Sequence, residues 1–149
     1  MTEYARPLPL PDLDTQPYWD GTQARELRAQ RCSSCARLRW PPQGFCPHCY
    51  LWEFSWSQLS HTGTIQSYVV VHQAIAAFAD AVPYTVARII IDNTEEAVIL
   101  TSSLIGVPWD GVKVGMRVEA VFDDVTPQVT LPRFRPSGSA AVDSDGPQY

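Results

Sequence analysis

Four thiols stand in two identical spacings: Cys32-Ser33-Ser34-Cys35 and, ten residues later, Cys46-Pro47-His48-Cys49. Two residues between cysteines form a tight knuckle that aims both sulfurs at one point. Two such knuckles on a short hairpin complete a tetrahedron of thiolates around Zn²⁺, with Zn–S distances near 2.3 Å. A thioredoxin-type redox centre would need a single CxxC within a βαβ pattern, which the flanking sequence lacks. Disulfides are disfavoured in the cytosol, where the chain is expected to reside. With Cys32, Cys35, Cys46 and Cys49 all engaged, the metal keeps no position for water or substrate, so the zinc is expected to be structural. Its four thiolates leave a net charge of −2, which Arg31, Arg37 and Arg39 are close enough in sequence to offset. His48, inside the second knuckle, reads as a neighbour rather than a ligand.

Little else in the chain is equipped for bond-making. His61 lies in a Ser-His-Thr-Gly turn and His72 ends a strand beside an apolar insertion. Isolated histidines at such places are usually structural or solvated. There is no Gly-rich phosphate loop, no Gly-x-Ser-x-Gly elbow and no cysteine–histidine nucleophile pair. The carboxylates Asp92, Glu95, Glu96, Asp110, Asp123 and Asp124 are scattered over turns. These residues describe a scaffold and name no reaction.

The elements that must carry the knuckles follow from pattern. The chain has 149 residues, 45% of them hydrophobic, enough for one domain and a small appended module. Residues 1–29 read as a proline-rich arm (Pro7, Pro9, Pro11) and a helix from about 15 to 30, with Thr15 as cap and Pro17 in the first turn. That helix either leans on the domain or docks on a partner through Tyr18 and Trp19. Residues 30–53 hold the zinc ribbon. Strand patterns follow at 54–59, 64–72, 84–91, 97–104, 117–122 and 128–134, with turns at Asp92-Asn93-Thr94 and Trp109-Asp110-Gly111. This predicts a mainly β domain over 54–136, a small barrel or sandwich, to which a five-stranded OB-type barrel is suited. Within it, residues 73–83 carry Ile75, Phe78, Ala79 and Val82 at helical spacing and are expected to form a short helix plugging one barrel end. Residues 137–149 are small, polar and acidic and are expected to be disordered.

Charge and hydropathy exclude some roles. The longest apolar run, residues 74–79, is far short of the roughly 20 residues that span a bilayer. The start, MTEYAR, gives no signal peptide to expect. Net charge is −5, and the β region carries five bases against eight acids. Nucleic-acid binders draw most of their affinity from a basic face. A zinc-ribbon/OB module for nucleic acid is therefore the weaker alternative.

The order of motifs resembles a known family. Tyr18-Trp19 in the helix, Arg39-Trp40-Pro41-Pro42 between the knuckles, and the strand opening Gly63-Thr64-Ile65-Gln66-Ser67-Tyr68 are its first marks. Val82-Pro83-Tyr84, Val114-Gly115-Met116-Arg117-Val118 and the closing Leu131-Pro132-Arg133-Phe134-Arg135-Pro136 complete the set over residues 15–136. It is the zinc-ribbon/OB-fold acyl-CoA-associated family, with a rubredoxin-like ribbon before the barrel. The resemblance implies a non-catalytic subunit of a thiolase-like enzyme: a thiolase, a hydroxymethylglutaryl-CoA synthase, or a lipid-transfer-protein-type aldolase of steroid side-chain breakdown. The N-terminal arm looks most like the steroid branch. Some members are fused to a hydratase-like domain, and no counterpart is expected here. On this reading Tyr18, Trp19 and Trp40 face the partner, while His72, Phe78, Tyr84 and Arg88 border the acyl-CoA site. Any aromatic near the ribbon that stays exposed, Phe45 and Trp52 included, would anchor the interface.

Overall fold

The computed structural model describes residues 4–138; the stretch expected to be disordered lies outside them from residue 139 on. One helix, α1 (Gln16–Gln23), follows the extended arm. Its cap differs from expectation. Thr15 holds the N-cap position, but its hydroxyl takes no helix N–H: it donates to Asp12 Oδ1 at 2.7 Å, which also takes the Thr15 N–H at 2.9 Å. The helix also stops about two turns earlier than the pattern suggests, at Gln23. Arg25 has φ 62°, a left-handed residue that turns the chain out of the helix. Leu27, just ahead of the next strand, and Ala29 within it then enter the core with no exposure at all.

That strand, β1 (Arg28–Cys32), is the centre of a three-stranded antiparallel sheet with β2 (Leu38–Arg39) and β3 (Phe54–Gln58), in the order β2-β1-β3. The strand at 54–58, expected to open the barrel, instead pairs with β1 from Cys32↔Phe54 to Arg28↔Gln58. The ribbon sheet thus reaches beyond both ends of the 30–53 segment.

The remaining strands are β4 (Thr62–Val71), β5 (Tyr84–Ile91), β6 (Ile99–Ser103), β7 (Arg117–Thr126) and β8 (Val129–Pro136). They form one antiparallel sheet in the order β6-β5-β4-β7-β8. A parallel bridge, Leu104↔Phe134, with the Ile105 N–H donating to the Phe134 carbonyl at 2.8 Å, ties the two edge strands together. The five-stranded OB barrel results. Along β5 the period of two is clean: Thr85, Ala87, Ile89 and Ile91 are buried, and Arg88 is exposed. Gly63 is required where β4 runs beside β5, since a Cβ there would lie 2.5 Å from the Ile90 carbonyl oxygen. Leu27, Ala29 and Leu38 from the ribbon side join Ile65, Ile89, Val98, Val118 and Phe134 in one hydrophobic cluster. The two sheets therefore share a core.

The expected plug does not form. Residues 73–83 make one 3-10 turn, Ala76–Phe78, with Ile75 75% exposed. The five alanines of this segment offer too little apolar area to hold a helix in a barrel mouth. The arm secures the turn instead: Arg6 Nε donates to the Ala77 carbonyl at 3.2 Å, and its guanidinium lies 5.3 Å from the centre of the Phe78 ring. No helix among the described residues is long and apolar enough to cross a membrane.

Two carboxylates pin the barrel from outside. Asp92 accepts from Arg117 Nη1 at 2.7 Å and from the Thr62 hydroxyl at 2.5 Å. The Arg117 guanidinium, then Thr62, hold its pKa down at about 2. Asp124, held by Arg25 and Thr130, is likewise at about 2. A depressed folded-state pKa stabilises above the unfolded value near 4, and that share is lost as pH falls through the folded value. Stability is therefore expected to drop between pH 4 and pH 2. Asp92 should contribute about 0.5–1 kcal/mol after solvent screening. Urea midpoints across this range should flatten in Asp92→Asn.

Candidate metal centre and its surroundings

The two knuckles are built alike. The Ala36 N–H returns to the Cys32 carbonyl at 3.0 Å and the Tyr50 N–H to that of Cys46 at 2.8 Å. Across each turn, the Cys32 N–H bonds the Arg37 carbonyl and the Cys46 N–H that of Leu51. Both residues after the second cysteines, Ala36 and Tyr50, adopt left-handed backbone with φ of 60° and 61°. This reversal brings the sulfurs together: Cys32 Sγ lies 3.5 Å from Cys49 Sγ, and Cys35 Sγ 3.6 Å from Cys46 Sγ. All four sulfurs fall within 4.8 Å of one another. A tetrahedron with 2.3 Å metal–sulfur bonds has edges of about 3.8 Å, so the donor set fits a zinc-type ion.

The backbone favours thiolate here. N–H groups of Cys35 and then Ser34 draw the Cys32 thiol down to about 6. Cys49 goes the other way, to about 11; against the Leu51 N–H, burial and its three sulfur neighbours favour the protonated form. A bound cation would remove that conflict by taking all four as thiolates.

The arginines near the knuckles separate into three fates. Arg31 is exposed and donates to Ser57 Oγ at 3.1 Å and the Ala36 carbonyl at 2.8 Å. Arg37 donates to His48 Nδ1 at 2.8 Å on the surface, which fixes His48 as a neighbour of the knuckle. Arg39 is 1% exposed, its guanidinium 4.5 Å from the centre of the Phe54 ring.

The aromatics divide in a way the sequence did not foretell. Tyr18, expected on a partner-facing surface, is 7% exposed and wedged between Trp19 and Trp40, ring centres 5.1 and 5.0 Å away. Burial raises its phenol pKa. It is a core residue of this chain because it bridges α1 and the loop after β2. Trp19 and Trp40 remain half-buried. Trp19 lines a cleft of about 330 Å³ with Pro9, Pro11, Asp20 and Pro127. The exposed group lies on the second knuckle: Phe45 (44%), Tyr50 (73%), Leu51 (45%) and Trp52 (67%). The Phe45 and Trp52 rings meet edge-on at 6.0 Å. Left-handed Tyr50 throws this segment outward, a feature no composition rule signals.

Of the residues expected at an acyl-CoA site, Phe78 and Tyr84 come together with ring centres 6.1 Å apart. His72 follows Val71, the strand partner of Tyr84, and packs edge-on against Trp109 at 5.2 Å. Arg88 is exposed further along β5, paired with Ser67 and Thr101. Arg6 and Trp109, absent from the expected set, border the same region. His61 packs edge-on against Phe122 at 5.3 Å, a structural place.

Comparison with known proteins agrees with this architecture. Residues 19–51 match the rubredoxin-like zinc ribbon domain of ChsH2, and residues 56–123 match its C-terminal OB-fold domain. A probable enoyl-CoA hydratase alpha subunit of Thermomonospora curvata is 34% identical over 132 residues, which cover 89% of this chain and 40% of that protein. The 3-oxo-4,17-pregnadiene-20-carboxyl-CoA hydratase alpha subunit of Mycobacterium tuberculosis is 33% identical over 78% of this chain and 36% of its own length. This chain thus spans well under half of the curated hydratase subunits it matches. A chain of the solved Ltp2-ChsH2(DUF35) aldolase superposes with a TM-score of 0.78 at 33% identity, covering 87% of this chain and 98% of that one. A rubredoxin-like ribbon, an OB barrel on the same core and a near full-length structural counterpart place this chain in the DUF35 family, with the ChsH2 arrangement of its two domains.

Proposed function

We propose that this protein is a non-catalytic accessory subunit of a thiolase-like acyl-CoA enzyme, a thiolase or a lipid-transfer-protein-type aldolase, acting in steroid side-chain degradation in the cytosol. Its ribbon carries a structural Zn²⁺ on Cys32, Cys35, Cys46 and Cys49. The observation that carries the reading is the structural match to a chain of the Ltp2-ChsH2(DUF35) aldolase, with 98% of that chain covered at a TM-score of 0.78 and 33% identity. The steroid assignment draws on the pregnadiene-carboxyl-CoA hydratase relative. Large apolar side chains exposed together are interaction surfaces more often than accidents. Phe45, Tyr50, Leu51 and Trp52 form such a surface, and Trp19 on α1 and Trp40, which packs on Tyr18 of that helix, are the second candidate contact. His72, Phe78, Tyr84 and Arg88 then supply a wall of the partner's acyl-CoA site, with Arg88 free to meet a phosphate.

Co-expression with a thiolase-like enzyme from the same organism, followed by co-purification, tests the reading. Trp52→Ala is expected to weaken the complex about 30-fold or more, as loss of a buried aromatic anchor does, without lowering the melting temperature. Trp19→Ala tests the helix in the same assay. Retention of full affinity in both variants would remove the assigned surface. Turnover of an acyl-CoA by the purified chain alone, lost in His72→Ala, would replace the accessory role with a catalytic one.

A further inference from the structure

Arg39 presents an unusual electrostatic situation. The side chain is 1% exposed, and Nε, Nη1 and Nη2 are all buried without a hydrogen-bond partner. Arginine does not shed its proton inside proteins, so a full positive charge is held away from water. Other arginines meet carboxylates: Arg25 with Asp124, Arg28 with Glu26, Arg117 with Asp92, Arg133 with Asp123 and Arg135 with Glu119. Arg39 has none. A buried cation needs an anionic neighbour, or its desolvation goes uncompensated.

Strand register supplies the direction. Residues directly opposite in an antiparallel sheet share a face. Arg39 faces Gln30, Gln30 faces Trp56 and Cys32 faces Phe54. Arg39, Gln30, Cys32, Phe54 and Trp56 therefore share one face of the ribbon sheet. Arg39 starts on β2 at the level of Gln30, yet its guanidinium rests over the Phe54 ring, on β3 at the level of Cys32. It crosses β1 toward the metal end of the sheet. Gln30 points the same way in its chemistry. Its Oε1 takes the Gln43 N–H at 2.9 Å, which fixes the amide and leaves Nε2 a buried donor with no acceptor. The Glu26 carboxylate, at the other end of this face, is held by Arg28; at the metal end the anionic centre among the described residues is the set of four thiolates.

We infer that Arg39, stacked over the Phe54 ring, is the buried counter-charge of the tetrathiolate metal centre. It acts through the field it adds, not as a ligand, and partly balances the −2 charge of the zinc-loaded site. Arg31 and Arg37, exposed and bonded elsewhere, contribute far less because solvent screens them. The inference rests on zinc occupancy, and the measurements separate the two claims.

Zinc content of the purified wild-type chain comes first, and a metal-free, folded protein would overturn both. Zinc affinity is then measured by competition with a chromophoric chelator in wild type, Arg39→Met and Arg39→Lys, with Arg31→Met and Arg37→Met as controls. Arg39→Met is expected to bind zinc about tenfold more weakly or worse, Arg39→Lys to stay much closer to wild type, and the controls to match wild type. The Co²⁺-substituted proteins give a readout that packing alone would not move. Loss of a nearby positive charge raises the energy of the sulfur electrons, so the sulfur-to-cobalt charge-transfer band should shift to longer wavelength in Arg39→Met and not in Arg39→Lys. If Arg39→Met fails to fold, Arg39→Gln keeps polarity without charge and should show the same shift. Equal affinity in wild type and Arg39→Met, an equal loss in Arg39→Met and Arg39→Lys, or a band indifferent to charge would overturn the assignment.

Discussion

Stripping the metal with a strong chelator, or replacing Cys46 by serine, is expected to remove most of the stability of this chain. Structural zinc sites contribute on the order of 10 kcal/mol of apparent free energy to the fold they organise. A domain of this size has only about 5–15 kcal/mol in total. Nothing inside the ribbon compensates. Apart from Ala29 and Leu38, which pack into the barrel's cluster, the ribbon buries Cys32 and Cys46, at 1% and 0% exposure, while Phe45, Tyr50, Leu51 and Trp52 turn outward. The damage will not stop at the knuckles. Cys32 ends β1, and Leu27, Ala29 and Leu38 of the ribbon sheet belong to the hydrophobic cluster of the barrel. Thermal melts followed by tryptophan fluorescence and by far-ultraviolet circular dichroism should shift down together, by well over 15 °C on a scale of about 2–4 °C per kcal/mol. A melt in which only the fluorescence responds, with the barrel signal untouched, would show the ribbon to be energetically separate.

Phe134→Ala should cost about 4 kcal/mol, the second largest loss expected from a single change. The ring is fully buried on β8, opposite Ala120 of β7. Its backbone also carries the bridge to Leu104 and accepts the Ile105 N–H. Deleting the ring opens a cavity where the edge strands of the barrel meet, and surrounding strands tied on both sides cannot collapse into it. The melting temperature should fall by about 10 °C. Leu131 on the same strand is half-buried, and Leu131→Ala should cost much less. Equal losses at the two positions would mean that the barrel repacks freely across its seam.

The metal centre was the most legible part of the sequence, because two residues between paired cysteines fix sulfur geometry through local backbone alone. The strands of the barrel were legible for a related reason: period-two burial, as along β5, is a local signal. Properties set by distant partners were not. Tyr18 read as an anchor, and only the approach of Trp40 from the ribbon makes it core. The segment at 73–83 has helical spacing, but spacing does not report that its alanines bury too little or that Arg6 arrives from the arm. The helix reading ran to residue 30 because Leu27 fits both a helix stripe and a strand, and the left-handed turn at Arg25 decides between them. Phe54–Gln58 had a correct pattern for a strand; its partner, β1, lies more than twenty residues upstream.

The apolar continuity between ribbon and barrel also bears on how the molecule would act in an assembly. Two modules on a free linker would let a docking face swivel independently of whatever the barrel presents. Here the Tyr50–Trp52 segment leads directly into β3 and Tyr84 opens β5, strands of two sheets that share a single interior, so the separation and relative angle of the two faces are set when the chain folds. An enzyme that grips one thereby aims the other, as a bracket screwed down at one end holds a shelf level at the far end.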